Sequence, residues 1–110
     1  MRTIAITSIA HSTSPLARAA DGPRLHELVE IAIDNGGVPG DAAIEVPGVP
    51  GRVGPTSTVA GAAIVNALVT EVVERLVALG IVPPVLVSAN LAAGDDANRR
   101  LAADGAGRRS

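Results

Sequence analysis

The sequence contains no phenylalanine, tryptophan, tyrosine or cysteine. The absence of aromatic side chains removes the platforms on which nucleic acid bases stack, and the absence of cysteine excludes disulfide bonds, thiolate metal sites and cysteine nucleophiles. Lysine is also absent, because all nine basic residues are arginine. A P-loop lysine and a Schiff-base lysine are therefore excluded as well.

Charged side chains are scarce. They make up 18% of the 110 residues, hydrophobic residues make up 47%, and the formal net charge is −2. We expect no nucleic acid partner, because such a chain lacks the basic surface that a phosphate backbone requires. The length allows one small domain. The apolar composition of the chain predicts that it contacts further copies of itself or another protein segment.

Long uninterrupted hydrophobic runs are missing too. The uncharged runs at residues 53–70 and 76–94 contain glycine and proline, whereas a membrane-spanning helix needs about 20 predominantly apolar residues. The apolar stretch near the start of the chain is short for a signal peptide. The sequence therefore predicts a cytoplasmic protein without a membrane partner.

Strand and helix patterns alternate along the chain. Runs of β-branched and small residues predict strands at residues 3–9, 30–34 and 85–88, and the first run is apolar on both faces, as in a parallel sheet. A short amphipathic piece lies at residues 24–29. Between residues 35 and 55, six glycines and four prolines predict a long connection without regular helix or central strand. Loops of this length are often functional or lie against a partner surface.

The clearest predicted element is a long helix. It follows Pro55, it begins at a cap supplied by Thr56, Ser57 or Thr58, and Gly80 ends it. One face of this helix is polar and the opposite face is aliphatic, as expected for a helix that packs against other protein.

A second helix is predicted to start at Asp95 or Asp96 and to run through Leu101. A flexible tail is predicted at residues 105–110. The order of strands and helices is typical of an α/β domain with a parallel sheet.

The hydroxyl groups of Thr56, Ser57 and Thr58 are the best candidates for ligand binding. Free backbone N–H groups and the helix dipole favour an anion at a helix start, and hydroxyls add donors. The alternative is that these residues only cap the helix. His11 follows the carboxyl end of the first strand, where open α/β sheets bind ligands, and suits a general base. A solvated loop histidine is the alternative there.

The sequence contains further titratable residues that could take part in chemistry. Asp41 and Glu45, in the glycine-rich connection, suit an acid–base pair, and the alternative is that both face water. His26 lies in the short amphipathic piece and is expected on its surface. Histidines 11 and 26 are too few and wrongly spaced for a metal site. We expect no metal and no cofactor.

Five segments, in this order, resemble the sugar isomerase (SIS) domain proteins of bacteria, in a branch related to the phosphosugar isomerases. The segments are residues 4–8 (IAITS), 31–37 (IAIDNGG), 53–58 (VGPTST), 83–85 (PPV) and 88–90 (SAN). The resemblance extends from about Arg2 to Leu101. It implies a three-layer sandwich, in which a five-stranded parallel sheet carries helices on both faces, and it matches this chain to the last three strands.

The resemblance implies a carboxyl-terminal half of an SIS domain at residues 1–104, completed by an upstream half-domain or by further copies of the chain. The Ser- and Gly-rich phosphate turn of the family does not occur in these 110 residues, and residues 20–24 replace a basic Ser-Gly-Lys-like stretch. The implied ligand is a sugar phosphate, and the implied activity of the parent domain is sugar phosphate isomerisation. This chain alone is expected to be inactive.

The resemblance also places the start of the long helix beside the sugar pocket. The implied substrate-binding residues are Ser8, His11, Thr56, Ser57 and Thr58, and the weak candidates for catalysis are His11 and Glu45. A different class of function remains open, namely a non-catalytic interaction or dimerisation module. In that case the long apolar helix is mainly a protein-binding surface.

Overall fold

The isoleucine-rich segment near the start of the chain forms a short strand, β1 (Ile4–Thr7), which pairs in parallel with β2 (Ile31–Asp34). The register sets Ala5 beside Ala32. Ala5 is 6% exposed, and among the residues that the structure describes it is the one buried hydrophobic residue. The structure is a computed structural model, and it describes residues 1–18 and 22–107.

The chain divides into two units, Met1–Thr70 and Glu71–Ser110. The architecture is mixed α/β, with one parallel strand pair, one antiparallel strand pair and a long helix. The strands expected at residues 3–9 and 30–34 are confirmed at residues 4–7 and 31–34.

The first strand is shorter than expected because Ser8 starts a helical turn, α1 (Ile9–Ser12). The Ser8 hydroxyl accepts a hydrogen bond from the backbone N–H of His11 at 3.0 Å, which is the usual role of serine at a helix start. The amphipathic piece expected at residues 24–29 is a single 3₁₀ turn at Leu25–Glu27.

The sequence suggested a structureless connection between residues 35 and 55, but this segment has regular structure. It contains an antiparallel hairpin formed by β3 (Ala42–Glu45) and β4 (Arg52–Pro55). Both strands of a two-stranded sheet are edge strands. A proline at the end of an edge strand is tolerated, although it has no N–H to donate to a neighbouring strand. Glycine and proline counts therefore excluded a central strand but did not exclude this hairpin.

Glycines in the hairpin turn supply the backbone conformation that other residues avoid. Gly48 and Gly51 have φ values of 83° and 102°. Across the strands, the Arg52 guanidinium contacts the Glu45 carboxylate at 2.7 Å, and both side chains are more than half exposed. An exposed pair of this kind adds little to stability.

The long helix is confirmed as α2 (Ser57–Ala78). It ends at Gly80, whose φ of 76° permits the left-handed turn that closes a helix. The N–H of Gly80 donates to the carbonyl of Val77 at 2.9 Å, and the N–H of Ile81 donates to the carbonyl of Leu76 at 2.9 Å. These two bonds are the pair that defines a Schellman motif.

Aliphatic side chains of α2 are uncovered. No described residue of this helix is buried, and its six large exposed side chains are at least 42% exposed. They are Val59, Val65, Leu68, Val69, Val72 and Val77. Within the described ranges, no helix has the length and apolar character needed to span a membrane.

The segment at residues 85–88, expected to be a third strand, has no regular secondary structure. Instead, the side chain of Asn98 pairs with the backbone of Val87: its Oδ1 accepts from the Val87 N–H at 2.9 Å, and its Nδ2 donates to the Val87 carbonyl at 2.8 Å. The prediction was wrong because a side chain satisfies both backbone groups that a neighbouring strand would otherwise satisfy.

The second predicted helix is confirmed and extends further in both directions, as α3 (Gly94–Gly107). The tail predicted at residues 105–110 therefore begins inside this helix. Residues 108–110 of that tail lie outside the described residues, as do Ala20 and Asp21 of the segment that departs from the SIS pattern.

Candidate functional site

A cavity of about 330 Å³ lies where β1 and β2 end and α2 begins. Six of its nine lining residues have polar side chains, and all nine belong to the Met1–Thr70 unit. The lining residues are Ile6, Thr7, Ser8, His11, Asn35, Gly37, Val38, Asp41 and Ser57. Because β1 and β2 are parallel, their carboxyl ends meet at one edge of the sheet, which is where α/β proteins bind ligands.

Ser8 fixes one wall of the cavity. Its hydroxyl donates to the carbonyl of Gly37 while it accepts from the His11 N–H, so both functions of the hydroxyl are used. Gly37 is buried, and a Cβ added there would lie 3.0 Å from Asn35 Oδ1 and 3.3 Å from Ser8 Cβ. A side chain at this position would therefore require these neighbours to shift by a few tenths of an ångström.

The turn that follows β2 is held by its own side chains. Asp34 Oδ1 accepts from the N–H of Gly36 at 3.0 Å, and Asn35 Oδ1 accepts from the N–H of Gly37 at 2.9 Å. Gly36 has a φ of 66°. These bonds confirm the interpretation of residues 34–37 as a tight turn that ends a strand.

His11 holds the far end of the same loop. Its Nδ1 accepts a hydrogen bond from the backbone N–H of Gly40 at 3.1 Å. The side chain is half-buried and lines the cavity. His11 therefore lines the cavity and contacts the loop through Nδ1, and its role as a general base stays a prediction.

Asp41 caps α2 from a distance of 16 residues. Its Oδ1 accepts from the backbone N–H of Ser57 at 2.7 Å and from that of Thr56 at 3.0 Å, and its Oδ2 accepts from the Ser57 hydroxyl at 3.0 Å. Asp41 has a φ of 70°, a conformation that aspartate adopts more readily than most residues. The Ser57 N–H and hydroxyl lower the pKa of the Asp41 carboxyl, and the N–H and hydroxyl of Thr56 act in the same direction.

The helix start therefore already carries an anion. The sequence suggested that a hydroxyl of Thr56, Ser57 or Thr58 caps the helix, but the carboxylate of Asp41 accepts its first N–H groups. Thr56 supports this arrangement, because its hydroxyl donates to the backbone carbonyl of Asp41 at 2.9 Å.

The structure brings together three of the five predicted substrate-binding residues. Ser8, His11 and Ser57 line one cavity. Thr56 and Thr58 are not among the lining residues. The Thr56 hydroxyl donates to the Asp41 carbonyl, and Thr58 is exposed.

Glu45, the second weak catalytic candidate, is not in this cavity. Its carboxylate pairs with Arg52 in the hairpin, while the Asp41 carboxylate is bonded to Ser57, so the two acidic groups do not form an acid–base pair. His26 is half-buried, and its Nδ1 is buried without a hydrogen-bond partner in the described part of the chain. Among residues 1–18 and 22–107, no three histidine, aspartate or glutamate side chains form a metal-binding group.

Sequence reasoning missed the part played by Asn35 and Asp41 in this cavity. The sequence predicted Asp41 either as half of an acid–base pair with Glu45 or as a carboxylate that faces water, and neither prediction places it at the start of α2. The available signal was its position directly after Pro39 and Gly40, since aspartate in such a turn tolerates positive φ and offers its side chain to nearby N–H groups.

No family model matches the chain. The chain is similar to UPF0309 proteins, being 43% identical over 98 residues to one from Geobacillus thermodenitrificans and 44% identical over 98 residues to one from Geobacillus kaustophilus. A UPF0309 protein from Shouchella clausii is 39% identical over 101 residues. These matches cover 89–92% of this chain and 39–41% of the relatives. The chain thus spans about two fifths of the length of the curated relatives it matches, and their name states neither a substrate nor a reaction.

Proposed function

We propose that the chain is part of an SIS-type domain and contributes to the binding of a sugar phosphate. The observation that carries this proposal is the cavity at the carboxyl ends of β1 and β2, whose lining presents hydroxyl, imidazole, carboxamide and carboxylate groups. Such groups at the end of a parallel sheet suit a polyhydroxylated ligand. The resemblance of five segments to SIS proteins supplies the substrate class.

The three-layer sandwich belongs to the same proposal. Ile4 of β1 is 59% exposed and Ile31 of β2 is 44% exposed, whereas strands of parallel sheets are usually covered on both faces. We infer that further strands and helices cover this pair, supplied by an upstream half-domain or by another copy of the chain. The span of about two fifths of the relatives' length supports this inference.

Isomerisation by the parent domain requires more than these residues. The Ser- and Gly-rich phosphate turn of the SIS family does not occur in the sequence. We therefore expect no turnover when this chain alone is assayed against a panel of aldose and ketose phosphates. Isomerisation above the buffer blank that is lost in His11→Ala would contradict this expectation. A sugar phosphate ligand also fits the cytoplasmic location proposed for the chain.

The binding proposal is tested by nuclear magnetic resonance with the same panel. We expect a sugar phosphate to shift the backbone amide signals of Ser8, His11 and Ser57, which line the cavity. Thr70→Ala is the matched control, because Thr70 is exposed on α2 and its hydroxyl donates to the helix carbonyl of Asn66. Ligand shifts that are absent, or that do not cluster at the cavity, would refute the proposal.

A second candidate function, an interaction or dimerisation module, is favoured by the exposed aliphatic face of α2. Val59 is 73% exposed and Val69 is 56% exposed, and apolar faces of this kind drive association. Light scattering after size exclusion at micromolar concentration tests this function. We expect a dimer or larger species, and a cooperatively melting monomer of 10.9 kDa would contradict it.

A further inference from the structure

We propose that this cavity binds a neutral hydroxyl group of the sugar, between Asp41 as acceptor and His11 as donor, and that the phosphate of the ligand lies elsewhere. The inference rests on the proposed function and narrows it, because it states which end of a sugar phosphate the cavity accepts. It also reverses the expectation, drawn from the sequence, that the start of α2 holds the anion.

The hydrogen bonds of Asp41 leave one oxygen able to accept more. Oδ1 accepts from the N–H groups of Thr56 and Ser57 and lies 3.2 Å from the Thr56 hydroxyl, so its lone pairs are fully used. Oδ2 accepts from the Ser57 hydroxyl, and within the described residues this is its one bond. A carboxylate oxygen can accept about two bonds, so Oδ2 retains a place for a hydrogen from a ligand.

The hydrogen bonds of His11 determine which nitrogen a ligand meets. Nδ1 accepts from the Gly40 N–H, so the neutral imidazole carries its proton on Nε2. Nε2 is then a donor, and no bond to it is present in the part of the chain that the structure describes. In this state His11 is a positioning residue that donates to a ligand oxygen, and it is not a general base.

A hydroxyl group matches this pair, and a phosphate does not. A hydroxyl donates one hydrogen and accepts another, so it satisfies Asp41 Oδ2 and His11 Nε2 together. Asp41 and His11 both line the cavity, and they lie close together, because the N–H that bonds to His11 Nδ1 belongs to Gly40, the residue before Asp41. A phosphate monoester dianion has no hydrogen to donate, and any phosphate anion is repelled by the carboxylate, whose negative charge the helix start already stabilises.

The experiment compares three probes by amide shifts of the unaltered chain: a hexose phosphate, the same hexose without phosphate, and inorganic phosphate. We expect the two sugars to shift the Asp41 and Ser57 signals and inorganic phosphate to leave them unchanged. Asp41→Asn keeps a residue type that tolerates positive φ and retains one carbonyl acceptor for the helix. We expect this variant to bind the neutral hexose about tenfold more weakly and to let inorganic phosphate shift the Ser57 signal.

The outcomes separate the inference from the function on which it rests. A Ser57 shift caused by inorganic phosphate in the unaltered chain would overturn the inference and leave sugar phosphate binding intact. No shift with either sugar would overturn both. The tautomer of His11 can be measured in the unaltered chain through its ring nitrogen resonances, so this test does not depend on the folding of a variant. We expect the proton on Nε2. A proton on Nδ1 of the neutral ring would overturn the inference.

Discussion

Asp41 Oδ1 lies 2.7 Å from the backbone nitrogen of Ser57, although the whole β3–β4 hairpin separates the two residues along the chain. The contact joins the base of the hairpin to the first turn of α2. A carboxylate is favoured there, because the unpaired N–H groups of a helix start carry partial positive charge. One side chain thus ties the candidate cavity to the stability of the longest helix.

The first prediction concerns acid sensitivity. The Ser57 N–H and hydroxyl lower the pKa of Asp41, and the Thr3 hydroxyl and N–H lower the pKa of Glu30. A carboxyl whose pKa is lower in the folded state stabilises the fold above its unfolded pKa and loses that contribution as the pH falls through the folded pKa. The free energy of unfolding should therefore decrease as the pH falls below about 4–5.

Urea unfolding at several pH values, followed by circular dichroism because the chain has no aromatic fluorophore, measures this slope. Asp41→Asn and Glu30→Gln should each make it shallower. Thr58→Ala is the control, since it leaves every bond of Asp41 in place. A slope unchanged in both charge-removing variants would refute the role assigned to these two carboxylates.

The second prediction separates the three hydroxyls at the start of α2. Thr56→Ala removes a hydrogen bond to the Asp41 carbonyl and should cost about 0.5–1.5 kcal/mol of stability. Ser57→Ala removes a bond to the Asp41 carboxylate and should lower both the Tm and the affinity for sugar, because Ser57 lines the cavity. Thr58→Ala should change stability by less than about 0.5 kcal/mol.

Melting temperature and sugar affinity are measured on the same samples of these three variants. Equal losses of stability in all three would contradict the capping arrangement. Sugar affinity that is unchanged in Ser57→Ala, in a variant that remains folded, would remove Ser57 from the binding site.

Elements encoded by neighbouring residues could be predicted from the sequence. β1 and β2 follow from runs of isoleucine and alanine, and the end of α2 follows from Gly80, because periodicity and caps act within a few residues. The hairpin was missed because its glycines and prolines resemble those of an irregular loop. The pairing of its two strands depends on contacts between separate segments, and amino-acid composition does not determine such contacts.

The candidate site was predictable only in part, for the same reason. His11 was predicted because it follows the carboxyl end of a strand, and Ser8 was predicted only because the resemblance to SIS proteins implied it. The contact between Asp41 and Ser57 was missed because it depends on how the hairpin returns the chain to the helix start. Likewise, nothing in the spacing of Val87 and Asn98 indicates that an asparagine takes the place of a neighbouring strand.

The third prediction contrasts two glycines with opposite roles. Gly37→Ala places a Cβ 3.0 Å from Asn35 Oδ1 and 3.3 Å from Ser8 Cβ, and should destabilise the fold by about 1–3 kcal/mol. Gly61→Ala lies within α2, where an added Cβ meets nothing within 4 Å, and should stabilise it by about 0.5–1 kcal/mol. Urea unfolding of both variants measures the two signs, and a stabilised Gly37→Ala would contradict the close packing around the Ser8 wall.

The last prediction concerns Asn98, whose side chain satisfies both backbone groups of Val87. Asn98→Ala removes an acceptor at 2.9 Å and a donor at 2.8 Å, and should cost about 0.5–1.5 kcal/mol for each bond. Asn98→Asp keeps an acceptor for the Val87 N–H but sets a second carboxylate oxygen against the Val87 carbonyl oxygen, so it should also destabilise the fold. Arg100→Ala is the matched control, because Arg100 is exposed on the same helix.

The hydrogen exchange rate of the Val87 amide distinguishes these variants, because it reports directly on the hydrogen bond that this N–H donates to residue 98. The amide should be protected in the unaltered chain and in Asn98→Asp, and it should exchange faster in Asn98→Ala, because only the last variant leaves the N–H without its acceptor. Arg100→Ala should leave the exchange rate unchanged. Equal exchange in Asn98→Ala and the unaltered chain would mean that residues 85–88 find another backbone partner, and an extended pairing with a neighbouring strand would then explain the segment better than Asn98 does.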